Sequence, residues 1–592
     1  MRELFRFFKF FYQLRGLTIF YLLFVMVAAA LFETLGVGLF LPILEGGSLD
    51  NPVGEILLIV FEWLNIEYSL SKLLLLMVFF FFLRSIFLVL KGAYIGKITS
   101  DLLVDLRIET VRQVFEANYL YFLSKDTGYI NNAATVEFAR LAFALKVYAN
   151  VLLAFILSFM YLAWPLLLNP AMVVGIGLLG VPALFFIRKI NQKTRKYALM
   201  TSEHSAGLQS ILIQSLQQFK YLKSTHSEEQ VLHQIDRESQ TLGELRFKQS
   251  VLQAITENGF TPFTILIVAG VLFYQMEVAG GDTAQTLFFL LLLQRAMAQL
   301  LGSQGKYRKF LGSVGSINVY KTLTQELEEN NEAFKPDGAK PDFSQPIEFK
   351  NVTYKYPTGD IVLQNINLLI PPKSTVAFVG ASGAGKSTLA TLLTGILGAS
   401  EGQILLGHES YANIDQQQLR QRIGYVTQES VIFNDTIKNN ITLWSPNGSD
   451  EKLRTAATRA HIKDFIEQLP HGYESPLGDN GLNISGGQRQ RISIARELYK
   501  DVKLLIFDEA TSSLDTDSER EIQRNIDELR GEKTIVLIAH RLSTVRNSDL
   551  IFVLKDGRIV EQGSYEQLYQ RHGEFRRMVD LQSTAAPEKN AS

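Results

Sequence analysis

Six apolar segments occupy the first half of this chain, at 17–44, 73–90, 146–168, 172–187, 255–274 and 287–301. Each suits a hydrocarbon core about 30 Å thick, which takes about 20 helical residues to cross. Lipid offers backbone N–H and C=O groups no partner, so such segments commit the chain to a bundle of membrane helices. Orientation follows from the cations. Arg2, Arg6, Lys9 and Arg15 precede the first segment, and neither Lys nor Arg occurs from Gly16 to Ser71, which places the N-terminus in the cytoplasm. The run 16–44 is too long for a signal-peptide core and reads as a retained helix.

The same rule puts 91–145 and 188–253 inside, because both are long and rich in Lys and Arg, and the short connections at 169–170 and 276–282 outside. The inner segments carry apolar residues at helical spacing, such as Leu102, Leu103, Leu106, Ile108, Val111 and Val114. The membrane helices are therefore expected to continue well beyond the bilayer. Residues 53–64 are too few to cross. They read as an outer helix that lies at the membrane surface or packs against the bundle. Three charges fall deep inside the spans rather than at their ends, Glu33, Arg84 and Arg295. Each is costly in lipid unless paired or facing a wet cavity, so the three are either cargo-binding candidates or an internal ion pair holding helices in register.

The second half is of different character. Residues 324–346 are polar and charged with Pro336, Pro341 and Pro346, an expected linker between a membrane domain at 1–323 and a soluble domain at 347–581. The last stretch, 582–592, is small and polar and is expected to be a disordered tail. From Ile347 onward short apolar strands alternate with helical patterns, an α/β arrangement. There is no cysteine, which excludes disulfides, thiolate metal sites and a cysteine nucleophile. A net charge of −1 and the absence of any nucleic-acid motif speak against a nucleic-acid partner.

Within the soluble half, Thr375-Val376-Ala377-Phe378-Val379 leads into Gly380-Ala381-Ser382-Gly383-Ala384-Gly385-Lys386-Ser387, and Thr388 opens an apolar helical run. Strand, glycine loop and helix in this order make a triphosphate cradle. The glycines admit backbone N–H groups to the phosphates, Lys386 reaches the β and γ oxygens, and the Ser387 hydroxyl takes a place on Mg²⁺. Leu504-Leu505-Ile506-Phe507-Asp508 is an apolar strand ending in a second Mg²⁺-anchoring carboxylate. Glu509 follows at once, placed to orient the water that attacks the γ-phosphate.

Asn483-Ile484-Ser485-Gly486-Gly487-Gln488 resembles the signature of ATP-binding cassette (ABC) proteins, with Ile484 where leucine is usual. As physics it is a capping serine followed by exposed N–H groups suited to an anion. The resemblance implies that this anion is the γ-phosphate of ATP held by the opposite subunit. It further implies that Tyr356 stacks on adenine, Gln428 senses Mg²⁺ and the membrane domain, residues 512–515 cross the dimer interface, and His540 contacts the γ-phosphate. Asp479 stands where exporters of this kind usually carry a glutamate.

Six spans with two long inner hairpins followed by one cassette resemble the layout of ABC exporter half-transporters. The expected fold is a membrane α-helical domain of six transmembrane helices with long cytoplasmic extensions, plus an α/β P-loop ATPase domain. The family works as dimers in which two cassettes sandwich two ATP molecules. Helical turns near 119–123 and 214–221 would dock on the cassettes. Since Lys386, Ser485, Glu509 and His540 are all present, the expected partner is a second copy of the chain in the cytoplasmic membrane, with ATP and Mg²⁺ as ligands. For cargo, Phe32-Glu33-Thr34, Pro42, Arg84 and Arg295 resemble bacterial lipid-linked oligosaccharide flippases, implying an anionic amphiphile among the membrane lipids. A lipid, drug or peptide exporter of the same build, or an ATP-gated channel or regulator, are the other readings.

Overall fold

The structure, a computed structural model, describes residues 2–44, 62, 69–125, 127–168, 170–259, 261–273, 277, 283–332, 338–446, 448–478, 481, 483–508, 516–539 and 541–584. It divides into two compact units that meet between Asn331 and Glu332.

The first unit is helical. Its main elements are α1 (Arg2–Arg15), α2 (Thr18–Gly38), α3 (Leu70–Glu116), α4 (Tyr119–Ser124), α5 (Phe138–Leu168), α6 (Pro170–Gln217), α7 (Glu228–Asn258), α8 (Thr261–Phe273), α9 (Thr283–Gly312) and α10 (Val314–Glu329). Among the described residues, four helical stretches are long and apolar enough to cross a membrane: Thr18–Leu44, Leu70–Glu116, Gly128–Leu166 and Ala284–Glu329. The expected extensions are present. Helix α3 runs 47 residues and α6 runs 48, each far more than a bilayer needs.

Three expectations change. The fifth apolar segment, 255–274, is divided between α7 and α8, with Pro262 in the first turn of α8. Proline lacks the N–H of a helix interior and disfavours helical backbone at the residue before it, so a break falls there. The start of the expected linker is helix instead, because Leu323 and Leu327 of α10 are a buried pair one turn apart while Glu328 and Glu329 face outward. At the C-terminus, the last helix, Glu574–Thr584, runs three residues into the expected tail. The outer-helix reading of 53–64 and residues 585–592 lie outside the described residues.

Helix α1 is amphipathic. Phe7, Phe10 and Phe11 are buried against Tyr148 of α5 and Phe310 of α9, with the Phe7 and Phe310 rings edge to face at 4.8 Å. Below α3 the short helix α4 is capped by Asn118, whose side chain accepts from the Tyr121 N–H at 2.8 Å. The Tyr121 hydroxyl donates to Glu326 of α10 at 3.0 Å, and Lys125 pairs with the same carboxylate at 2.9 Å.

The second unit holds two sheets. Strands β1 (Ile347–Lys355), β2 (Ile361–Ile370), β4 (Glu401–Leu406) and β5 (Glu409–Ser410) form an antiparallel sheet in the order β2-β1-β4-β5. Strands β3 (Thr375–Gly380), β6 (Ile423–Val426), β7 (Leu504–Asp508), β8 (Thr534–Ile538), β9 (Leu550–Lys555) and β10 (Arg558–Gly563) form the other, ordered β10-β9-β3-β8-β7-β6. All its pairs are parallel except β9 with β10. Every residue of β3 and β8 is buried, which is why both read as unbroken apolar runs rather than alternating ones. The helices that matter for the site are α11 (Lys386–Leu393), α12 (Ile437–Thr442), α13 (Gly486–Tyr499) and α14 (Thr516–Leu529).

Candidate nucleotide site and membrane charge cluster

The glycine loop lies where β3 delivers it, at the carboxyl end of a central parallel strand, the edge at which open α/β sheets bind ligands. Its path depends on two glycines. Gly383 and Gly385 have φ of 80° and 97°, backbone that residues with a Cβ rarely adopt. At Gly385 a Cβ would also meet Leu363 Cδ2 at 2.6 Å and the Val362 carbonyl at 3.1 Å, because β2 of the antiparallel sheet presses against the loop. Gln364 N–H donates to the Gly557 carbonyl at 2.8 Å and holds that sheet in place.

Lys386 is the first residue of α11 and is only 5 % exposed. Its Nζ donates to the carbonyls of Gly380 and Ala381, each at 2.9 Å, so the ammonium is held inside the curve of its own loop. Thr388 is buried one residue beyond Ser387, whereas Ser382, Gly383 and Ser387 are exposed. Exposed backbone at a helix N-terminus with a buried lysine beneath it is what a polyphosphate requires.

Strand β8 lies between β3 and β7, so Asp508 ends two strands from Gly380, roughly 10 Å by sheet spacing and at the same edge. The Asp508 carboxylate accepts from the Tyr425 hydroxyl of β6 at 2.8 Å. Tyr425 carried no signal in the sequence, since it sits in a short apolar strand. Gln428, past the end of β6, is exposed. Tyr356 follows β1 and packs its ring edge to face against Tyr354 at 5.0 Å. Glu509, Asp479, residues 512–515 and His540 lie outside the described residues. The flanks are in place: Asp508 closes β7, and the Ala539 N–H donates to Phe378 of β3 at 3.2 Å.

The signature segment folds as its chemistry predicts. Ser485 is the N-cap of α13 in a reciprocal capping box: its Oγ accepts from the Gln488 N–H at 3.3 Å, and Gln488 Oε1 accepts from the Ser485 N–H at 2.8 Å. The Gln488 side chain is thus used in closing the turn, leaving Ser485 exposed and Gly486 partly so at the positive end of the helix. Ile484 is 8 % exposed and joins the unit's core, the place a leucine would take. On the buried face of α13, Glu497 pairs with Lys500 at 2.9 Å, but burial prevails and pushes its carboxyl above the ordinary glutamate value.

In the first unit the three intramembrane charges come together. Glu33 of α2 meets Arg84 of α3 at 2.8 Å and Arg295 of α9 at 3.9 Å. Tyr161 of α5 donates its hydroxyl to the same carboxylate. A phenol deep in an apolar span was a legible sign that some acceptor lay nearby.

A P-loop at the edge of a parallel sheet, a capped Ser-Gly-Gly helix start and a bundle of long membrane helices define a membrane-bound nucleotide hydrolase. Residues 17–301 match the ABC transporter transmembrane region and 363–512 the ABC transporter family. The chain is 31% identical over 534 residues, 87% of itself and 90% of the relative, to an ATP-dependent lipid A-core flippase of Desulfotalea psychrophila. It is 30% identical over 576 residues, 94% of itself and 92% of the relative, to the heterocyst differentiation ATP-binding protein HepA of a Nostoc species. A solved bacterial Atm1-family ABC exporter with ATP bound superposes with a TM-score of 0.76 at 25% identity, covering 96% of this chain and 99% of that one. The chain belongs to the ABC transporters, and it is an exporter whose ATPase domain couples ATP hydrolysis to transport across the membrane its apolar helices span.

Proposed function

We propose that the protein works as a homodimeric flippase of the cytoplasmic membrane for an amphiphile with an anionic head, a lipid-linked oligosaccharide carrying a diphosphate. The observation that carries this reading is the charge imbalance around Glu33. Two guanidinium groups share one carboxylate, and among the described residues no other acid pairs with either arginine. Arg84 and Arg295 retain 33% and 40% side-chain exposure, so both remain accessible on one side. Guanidinium forks suit phosphate oxygens through paired hydrogen bonds.

A second group of cations points the same way. Lys91 of α3 donates to Asn150 of α5 and lies within electrostatic reach of Lys146 and Lys306. Among the described residues none of these lysines is paired with a carboxylate. The relatives named for lipid A-core flipping support an amphiphilic cargo as well.

In the ATPase domain, Gly380, Ser382, Gly383, Gly385, Lys386, Ser387 and Thr388 hold the ATP phosphates and Tyr356 stacks on adenine. Ser485, Gly486 and Gly487 of the partner copy close over the γ-phosphate, with Gln488 shaping their turn. Ser387, Gln428 and Asp508 hold Mg²⁺, which when bound neutralises the phosphate charge that builds during transfer. Glu509 accepts the proton of the attacking water, and His540 contacts the γ-phosphate. The N-terminus and ATPase domain are cytoplasmic by the positive-inside rule.

The test is ATP-driven movement of a fluorescent undecaprenyl-pyrophosphate-linked glycan across reconstituted vesicles. Wild-type protein moves it, and the Arg84→Gln, Arg295→Gln double variant does not. Movement by the double variant at the wild-type rate would sink the cargo assignment.

A further inference from the structure

A single carboxylate gathers residues from four helices. Glu33 projects from α2, Arg84 from α3, Tyr161 from α5 and Arg295 from α9, and each of the last three is in contact with one of its two oxygens. The arrangement is lopsided. Glu33 is 8% exposed, while the arginines open outward. The anion is enclosed and the cations are presented.

The arginines share the charge of one carboxylate and are not saturated as donors. Arg84 Nε stands 2.8 Å from Glu33 Oε2 at an angle too poor for a hydrogen bond, and Arg295 Nη1 at 3.9 Å is beyond hydrogen-bond range. Each guanidinium carries five N–H donors. Tyr161, by contrast, donates a hydrogen bond to Oε1, and the Arg295 guanidinium also sits 6.0 Å from the Tyr161 ring centroid. The carboxylate is thus hydrogen-bonded by the phenol, while the cations hold it by charge.

We infer that Glu33 is a built-in stand-in for the cargo's anionic head, displaced from Arg84 and Arg295 when that head arrives and returning when it leaves. The inference rests on the reading that these arginines receive cargo. A diphosphate offers more charge and better-aligned acceptors than one carboxylate held at poor angles, so exchange favours the cargo. Leaving two guanidinium groups unpaired in an apolar span after release would be strongly unfavourable, and the returning Glu33 prevents it. Tyr161 is a positioning residue: its hydroxyl keeps a donor on Glu33 while the arginines are engaged elsewhere. Exchange breaks the ties from α2 to α3 and α9, so head-group charge itself loosens the bundle, and a neutral amphiphile cannot do it.

The test is equilibrium binding of farnesyl pyrophosphate, with farnesol as the neutral comparison, to the full detergent-solubilised protein. Glu33→Gln removes the competitor and should tighten farnesyl pyrophosphate about tenfold without altering farnesol, whereas Arg84→Gln should weaken it by about as much. Tyr161→Phe keeps the charge but strips the displaced carboxylate of its remaining donor, so it should weaken farnesyl pyrophosphate modestly without altering farnesol, and it serves if Glu33→Gln does not fold. Unchanged or weaker binding in folded Glu33→Gln, or unchanged or tighter binding in Tyr161→Phe, with Arg84→Gln still weakening, overturns the stand-in and leaves the arginine site standing. No change in any variant overturns both. Because the chain has no cysteine, spin labels at Leu31→Cys on α2 and Leu287→Cys on α9 give a second reading. Farnesyl pyrophosphate should shift their separation, and Glu33→Gln should show the shifted separation without it. An unshifted separation in Glu33→Gln counts against the proposal.

Discussion

Nε of Arg496 donates to the main-chain carbonyl of Asn440 at 2.7 Å, tying the helix that follows the signature to the segment that follows Gln428. Asn440 is fully buried. Its Nδ2 donates to the carbonyls of Phe433 at 2.9 Å and Thr436 at 3.0 Å, and its Oδ1 accepts from the Phe433 N–H at 2.8 Å. The arginine also sits 5.7 Å from the Phe433 ring centroid. One asparagine therefore sets the path of residues 433–440 against α13.

Asn440→Ala should lower stability by about 3 to 5 kcal/mol, since each buried polar group left without a partner costs about 1 to 3 kcal/mol. Thermal unfolding of the full chain checks it. A melting temperature within about 2 °C of wild type would show that the network contributes little.

Glu509→Gln should abolish ATP turnover and leave ATP binding intact. The amide conserves shape but cannot take the proton of the attacking water. Phosphate release and nucleotide binding measured side by side decide the matter, and turnover near wild type would remove Glu509 from the role.

Composite sites predict complementation between defective chains. Lys386→Ala damages the phosphate loop and Ser485→Arg the signature, so a mixed dimer places both lesions in one site and leaves the other whole. Co-purified mixed dimers should recover part of the ATPase activity that neither variant shows alone. No recovery in verified mixed dimers would argue that each chain builds its site by itself.

Glu497 gives a pH-dependent prediction. Its carboxyl is raised above the ordinary value of 4.5, chiefly by burial. A raised carboxyl favours the folded state when protonated, so its contribution is fully present below pH 4.5 and is lost as the pH rises through the folded-state value. Glu497→Gln should therefore unfold at a higher temperature than wild type at pH 8, with the gap closing as the pH falls toward 4.5. A gap that does not change with pH would place the effect elsewhere.

The phosphate loop, the strand ending at Asp508 and the capped signature were legible in the chain alone, because each is built within a dozen consecutive residues whose glycines, caps and apolar runs act locally. The membrane helices were legible for a similar reason: the length and apolarity a bilayer demands are properties of one segment at a time. Where helices stop was less so. The sequence pattern overran at Pro262, and it ended α10 early because the charges at 324–329 hid an inward Leu323 and Leu327. Only the tertiary structure decided which charges meet. Glu33 and Tyr161 are 128 residues apart, and Asn440 and Arg496 are 56 apart, so no local pattern encodes either contact. A buried polar group takes its partner from whatever element packing brings within 3 Å or so, and packing is a property of the whole fold rather than of the segment.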